Sequence, residues 1–212
     1  MAARIITIAQ QKGGAGKTTL VAQLAVAYAA LGRTVALVDI DPQGSLAAWH
    51  RLRGETLDAG AGGLHLSDVA GWRLGTELDR LRNSYDIVIV DTPPHAETEA
   101  RTAVRAGDIV LVPIQPSPMD LWATAATLDL ARKERTEVLL VLNRVPPRGR
   151  LPEVIEARLQ ADDLPIAKTR IGNRTALAAS LLEGKGVVET DRGSRAAEEI
   201  RALAGEVLAH LS

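Results

Sequence analysis

No cysteine occurs among the 212 residues, so disulfides, thiolate zinc sites and iron–sulfur clusters are excluded. Phenylalanine is missing as well, and two tyrosines and three tryptophans are the whole aromatic content. With 46 % of residues hydrophobic, the core has to be built from Ala, Leu, Val and Ile. The chain also lacks an excess of charge of one sign. Its formal net charge is −1, so nothing global draws it to DNA, and any such contact needs a local basic patch. No apolar run approaches the ~20 residues that span a bilayer. The N-terminus has no basic–apolar–cleavage pattern, and the expectation is a cytoplasmic protein. The length suits one domain, residues 1–212, with a full α/β core.

The rest of the chain is organised around Gln10-Gln11-Lys12-Gly13-Gly14-Ala15-Gly16-Lys17-Thr18-Thr19. The stretch follows a short apolar strand, 4–9, and opens a helix expected over 18–31. A glycine-rich turn there leaves backbone N–H groups pointing into a concavity at the positive end of the helix dipole, which is a phosphate cradle. Gly16-Lys17-Thr18 adds an ammonium for the β/γ-phosphates and a hydroxyl for Mg²⁺. The ordinary P-loop pattern fails at its first glycine, where Gln11 stands, and a second lysine, Lys12, precedes Gly13.

This K-G-G-x-G-K-T-T string resembles the deviant Walker A loop of the ParA/MinD family of ATPases. The resemblance implies ATP and Mg²⁺ as ligands, with Gly13, Gly14, Ala15, Gly16, Lys17, Thr18 and Thr19 cradling the phosphates. It also implies that Lys12 reaches across a homodimer interface to the partner's nucleotide. Taken alone, Lys12 reads first as a solvated loop lysine.

Further along, Leu20, Leu24, Ala27, Tyr28 and Leu31 recur at a helical period. Gly32 then ends the helix, and 35–40 reads as a strand apolar on both faces, as in parallel sheets. Strand, helix and strand make a right-handed βαβ unit. The fold class is therefore α/β: one mostly parallel twisted sheet with helices on both faces.

Asp39-Ile40-Asp41-Pro42-Gln43 comes next. Asp41 before Pro42 has the look of a helix N-cap. A carboxylate at a strand end beside a P-loop also faces the γ-phosphate. D-x-D-P-Q is similar to the string ParA proteins carry here, which gives Asp41 the orientation of the attacking water and Asp39 a place near the metal's outer shell. Residues 54–67 are Gly- and Ala-rich, with a brief edge strand at 64–66; Trp49 and Trp72 beside them read as packing residues.

The clearest strand, 85–91, closes on Asp91-Thr92-Pro93-Pro94. An acidic strand end is the arrangement that holds Mg²⁺ through a water, and the prolines force an extended loop. D-T-P-P resembles the family's γ-phosphate sensor. His95 is read as a surface residue with no chemistry.

The strand at 108–114 leads into Gln115-Pro116-Ser117-Pro118-Met119-Asp120, a loop at the ligand end of the sheet and, by resemblance, at the dimer face. After a helix over 119–134 and a strand over 138–143, Asn143 admits two readings: an amide that recognises adenine, as the family implies, or ordinary turn chemistry. A last core strand is expected over 164–171. A final helix is expected after Ser194, a sound N-cap.

Basic residues exceed acidic ones modestly between Lys168 and Arg195, which a solvated face also explains. The text around Arg174 and Arg195 is similar to the ParA C-terminal region, where arginines bind DNA backbone; Arg192 is added by proximity. The resemblance thus implies a small ParA-type ATPase that binds DNA non-specifically, is nucleoid-associated in its ATP form, and positions a cargo through a ParB-like or other adaptor protein. The first strand begins at residue 4, so no N-terminal helix-turn-helix segment is expected. Two alternatives stand beside this reading. A MinD-like membrane-cycling regulator is disfavoured by the anionic face of the last helix (Glu198, Glu199, Glu206), so no membrane partner is expected. An ATP-dependent synthetase on the same scaffold would need further polar residues near the phosphates.

Overall fold

The computed structural model of the chain describes residues 2–57, 61–94 and 97–211. Six strands, β1 (Arg4–Ile8), β2 (Val35–Asp39), β3 (Leu64–Asp68), β4 (Ile87–Asp91), β5 (Ile109–Ile114) and β6 (Glu137–Leu142), form one sheet in the order β3-β2-β4-β1-β5-β6. Every neighbouring pair is parallel, so the expected mostly parallel sheet is parallel throughout. The helices are α1 (Lys17–Ala30), α2 (Ser45–Thr56), α3 (Leu74–Leu81), α4 (Glu97–Ala106), α5 (Pro118–Glu134), α6 (Leu151–Ala161), α7 (Thr175–Leu181), α8 (Val187–Thr190) and α9 (Arg195–His210).

Successive strand residues alternate between two covered faces. Ile6, Ile8, Leu37, Ile89, Leu111 and Val141 pack with α1, α2 and the C-terminal helices α7 to α9. On the opposite face, Val38, Val88 and Val90 meet α3 and α4, and Val110, Val112 and Leu140 meet α5 and α6. The core is aliphatic, as the composition requires.

The single apolar stripe expected on α1 is replaced by burial all round from Leu20 to Tyr28. The helix lies between the sheet and α7 to α9, so even Gln23 is buried. Its amide donates to the Leu177 carbonyl (3.0 Å) and Ser180 Oγ (2.9 Å) and accepts from the Val187 N–H (2.8 Å). Leu31, assigned to the stripe, is the exposed C-cap.

The strand expected over 164–171 does not form. Only single bridges, Leu140 to Ile166 and Val145 to Gly172, join this segment to its neighbours. Pro165 has no N–H to donate, and the amides of Lys168 and Thr169 donate instead to the Glu206 carboxylate on α9 (2.6 and 3.0 Å). Trp49 is buried on α2 as expected, whereas Trp72 is 84 % exposed on a 3₁₀ turn and packs no core. The edge strand near 64 is present as β3, and α9 begins after Ser194, whose side chain accepts from the Ala197 N–H. His95 lies outside the described residues. No described helix is long and apolar enough to cross a membrane, and Ile200, Leu203, Ala204 and Val207 bury the apolar face of α9 in the core.

Candidate nucleotide site

Strand register brings the sequence motifs to one row. Asp91 is the Cα partner of Ile8 on β1 and of Asp39 on β2, so the glycine-rich loop and two carboxylates leave the sheet side by side at its C-terminal end. Gly16 caps α1 with φ +92°, in the left-handed region that side chains avoid. A Cβ there would lie 2.6 Å from Asn143 Nδ2. The Asn143 amide donates to the Ala15 carbonyl (2.8 Å) and, through Oδ1, accepts the Arg144 N–H (2.9 Å). Asn143 thus ties the end of β6 to the phosphate loop.

Lys17 is 7 % exposed and donates to the Gln10 carbonyl at 3.1 Å, which curls its ammonium under the loop. Burial lowers its pKa, while the Asp91 and Asp41 carboxylates raise it. Asp91 is buried with neither oxygen hydrogen-bonded. Burial pushes its carboxyl up to about 7; the Thr18 hydroxyl and the Lys17 ammonium act against that, and Asp39 and Asp41 add to it. A buried carboxylate without a donor, beside a helix-terminal threonine hydroxyl, fits a hard divalent cation that takes few protein ligands and keeps its waters.

Asp41 differs from the N-cap expected of it. Its Oδ1 accepts the Gln43 N–H (2.9 Å) in a turn, and Gly44, with φ +61°, caps α2 three residues later. Proline at 42 therefore shapes the turn rather than the first helical position. The Asp41 side chain lines the same cavity as Lys17, Thr18 and Pro94. The Asp39 oxygens accept the Asp41 N–H (3.0 Å) and the Ala47 N–H (3.1 Å), so Asp39 braces the 40–44 loop and the start of α2. Thr92, at the start of the D-T-P-P loop, donates to the Ile8 carbonyl (2.9 Å) and pins that loop to β1.

Lys12 turns the other way. Its ammonium is bonded to the carboxylate of Asp120 at the start of α5; the lysine side chain is 36 % exposed and that of the aspartate 1 %. Ser117 Oγ donates to the same carboxylate (2.5 Å) and caps α5 by accepting the Asp120 N–H (3.1 Å). Two further bonds fasten α5 and its leading loop to the phosphate loop: Gln115 Nε2 to the Gly14 carbonyl (2.9 Å) and Gln10 Nε2 to Thr124 Oγ1 (3.1 Å). Gln10, Gln115, Asp120 and Arg144 carry none of the roles drawn from sequence. The usable signal for Asp120 is its place three residues after a serine N-cap, in a loop already assigned to the ligand end.

Arg174 and Arg195 come together on the far side of β6, but around a carboxylate. Arg174 donates through Nε (2.9 Å) and Nη2 (2.5 Å) to Glu199, which also accepts the Gly172 N–H (3.0 Å). Glu199 is pulled below the usual carboxylate range against a burial effect that raises it, chiefly by the Arg174 hydrogen bond. Arg195 lies 3.5 Å from Glu199 and is 73 % exposed. Arg192 is exposed, and its carbonyl accepts from Arg201 (2.8 Å).

Comparison with known proteins agrees with this geometry. The family model of the CobQ/CobB/MinD/ParA nucleotide binding domain matches residues 6–188. The "Maintenance of carboxysome distribution protein A" of Halothiobacillus neapolitanus is 31 % identical over 213 residues, covering 96 % of this chain and 95 % of its own. The chromosome-partitioning ATPase Soj of Thermus thermophilus is 31 % identical over 240 aligned residues, covering 98 % and 96 %. The crystal structure of the cell division ATPase MinD of Pyrococcus furiosus superposes with a TM-score of 0.81 over 99 % of both chains, at 25 % identity.

Proposed function

The chain belongs to the CobQ/CobB/MinD/ParA nucleotide-binding family, and from that premise we propose that it is a ParA-type positioning ATPase. Mg-ATP joins two copies face to face, the pair holds DNA non-specifically, and an adaptor protein sets off hydrolysis. The observation that carries the reading is the opposite direction of the two loop lysines. Lys17 is buried under its own loop, where it serves its own β/γ-phosphates. Lys12 sits at the loop's outer lip, held to α5, free to exchange that partner for the phosphates of a second copy.

Each remaining residue has a role within this reading. The backbone N–H groups of residues 13–19 bind the phosphates at the N-terminus of α1. Asp91 and Thr18 are the residues that would hold Mg²⁺. When bound, Mg²⁺ neutralises the charge that develops on the β- and γ-phosphate oxygens. Asp41 Oδ2 orients a water in line with the γ-phosphorus, and Asp39 fixes Asp41 through its backbone. Water adds to phosphorus as the bond to the ADP oxygen breaks, giving ADP and inorganic phosphate. Pro93 and Pro94 carry the difference between the two nucleotides into the loop pinned by Thr92.

DNA contact falls to Arg174, Arg195 and Arg192. The cargo follows the adaptor; the similar proteins named above serve carboxysome distribution in one case and chromosome partitioning in the other. A membrane-cycling role is disfavoured because the apolar face of α9 is already packed in the core.

The test of the chemistry is phosphate release. With Mg-ATP the wild-type chain should turn over slowly, Lys17→Ala should lose both binding and turnover, and Asp41→Ala should bind ATP without hydrolysing it. Full turnover by Asp41→Ala would refute the role given to that carboxylate.

A further inference from the structure

Among the described residues, four other than glycine have positive φ: Ala61, Arg135, Arg144 and Asp163. Arg135 caps α5 and Asp163 follows the last turn of α6, places where the left-handed conformation ends helices routinely. Arg144, at φ +53°, closes no helix. It stands at the end of β6, in a conformation that costs about 1 kcal/mol or more outside glycine. The Asn143 side chain enforces it by accepting the Arg144 N–H.

The consequence is where the guanidinium goes. Arg144 Nε lies 3.9 Å from the position a Cβ would take on Gly16, and the side chain lines the same cavity of about 420 Å³ as Gly14, Gly16, Lys17, Thr18 and Thr19. No described carboxylate forms an ion pair with it. An exposed arginine held in strain, without an acidic partner, at the rim of a ligand cavity is a group waiting for that ligand.

Topology says which part of the ligand it meets. The strand order runs β2-β4-β1-β5-β6 through the site. Asp41 and Pro94, beyond the ends of β2 and β4, mark the γ-phosphate side. Arg144, beyond β6, stands on the opposite side of the loop, four strand spacings or about 19 Å from β2. A nucleotide whose phosphates occupy the loop therefore directs its nucleoside toward β6. Asn143 is held by backbone on both sides, through the Ala15 carbonyl and the Arg144 N–H, which fixes where Arg144 leaves the strand.

We propose that Arg144 is the nucleobase contact: its planar guanidinium stacks on the face of the bound base, with Asn143 as the positioning residue that fixes its backbone. This rests on the nucleotide-binding reading above. Stacking of a cation on a π-face is tolerant of base identity, so adenine and guanine nucleotides depend on it alike.

The test measures binding of ATP, GTP and inorganic tripolyphosphate to wild type, Arg144→Ala and Arg144→Lys. The expected result is an affinity for ATP and for GTP lowered about tenfold in Arg144→Ala, the scale of one base stack, with tripolyphosphate bound as in wild type. Arg144→Lys, which keeps the charge and loses the plane, is expected at least threefold weaker than wild type for ATP. Tripolyphosphate weakened as much as ATP, a lysine variant equal to wild type, or ATP binding unchanged in the alanine variant would each overturn the proposal. A wild-type chain that binds neither ATP nor tripolyphosphate would refute the nucleotide site itself. Melting temperatures without ligand should be equal in all three, since the side chain holds no ion pair to lose.

Discussion

The ammonium of Lys12 is bonded to the carboxylate of Asp120 in the same chain. The lysine to which the proposal assigns the partner's phosphates is thus held back by α5, whose leading loop also grips Gly14 through Gln115. Association must break one such contact in each copy. The lysine is partly exposed, so each contact is worth at most about 1 kcal/mol. Asp120→Asn, in a hydrolysis-deficient Asp41→Ala background with ATP, should tighten self-association by up to roughly 30-fold for the two contacts together. A sedimentation series over concentration checks this; unchanged or weaker association would show that Asp120 does not restrain Lys12.

Asp91 gives a pH dependence with a definite sign. Its carboxyl is raised from 3.8 to about 7, chiefly by burial. Between those values the unfolded chain has lost the proton that the folded chain keeps. The contribution of this group to stability is therefore fully present below about pH 4, declines as pH rises to about 7, and stays low above it. Asp91→Asn removes the buried charge. Without nucleotide or metal it should be more stable than the parent at pH 8, by up to about 4 kcal/mol, and the difference should close toward pH 4. Urea unfolding at the two pH values measures it, and a variant less stable than the parent at pH 8 would contradict the assignment.

The two candidate DNA arginines should behave differently. Arg174 is bidentate to Glu199, whose side chain is 11 % exposed, whereas Arg195 is largely in solvent. Replacing Arg174 by alanine leaves a half-buried carboxylate short of its donors and should lower stability by about 1–3 kcal/mol along with DNA affinity. Arg195→Ala should lower DNA affinity alone. With about three phosphate contacts per subunit and a slope near −0.9 for each, raising salt from 50 to 200 mM weakens a monomer roughly 40-fold and a dimer roughly 2000-fold. Anisotropy titrations should therefore give a steep salt dependence with ATP and a shallow one with ADP, and Arg195→Ala should flatten the former by about two contacts. Equal slopes in the two nucleotide states would set aside dimer-dependent DNA binding.

The phosphate loop, the two acidic strand ends and the order of strands and helices are legible in the sequence because each is a local pattern: a glycine run before a helix, a carboxylate closing an apolar strand. What the sequence hides depends on side chains meeting across the fold. That Asp39 also braces the 40–44 loop and α2, by accepting the Asp41 and Ala47 N–H groups, is not visible in its strand-end position. That the Asn143 amide also ties β6 to the phosphate loop through the Ala15 carbonyl appears only in the fold. The 164–171 segment has strand composition, yet Glu206, far along the chain, takes the amides a ladder would use. The periodicity of α1 misleads for the same reason, since a helix covered on every side has no polar face to mark its apolar one.

The central claim is that ATP joins two copies through Lys12. Its most direct measurement is the solution mass of Asp41→Ala with ATP, with ADP, and with Lys12→Ala added. The account predicts a dimer of the 22.5 kDa chain in ATP alone, and its loss when Lys12 is replaced. A chain that stays monomeric in ATP, or a dimer that forms equally well without Lys12, would contradict it.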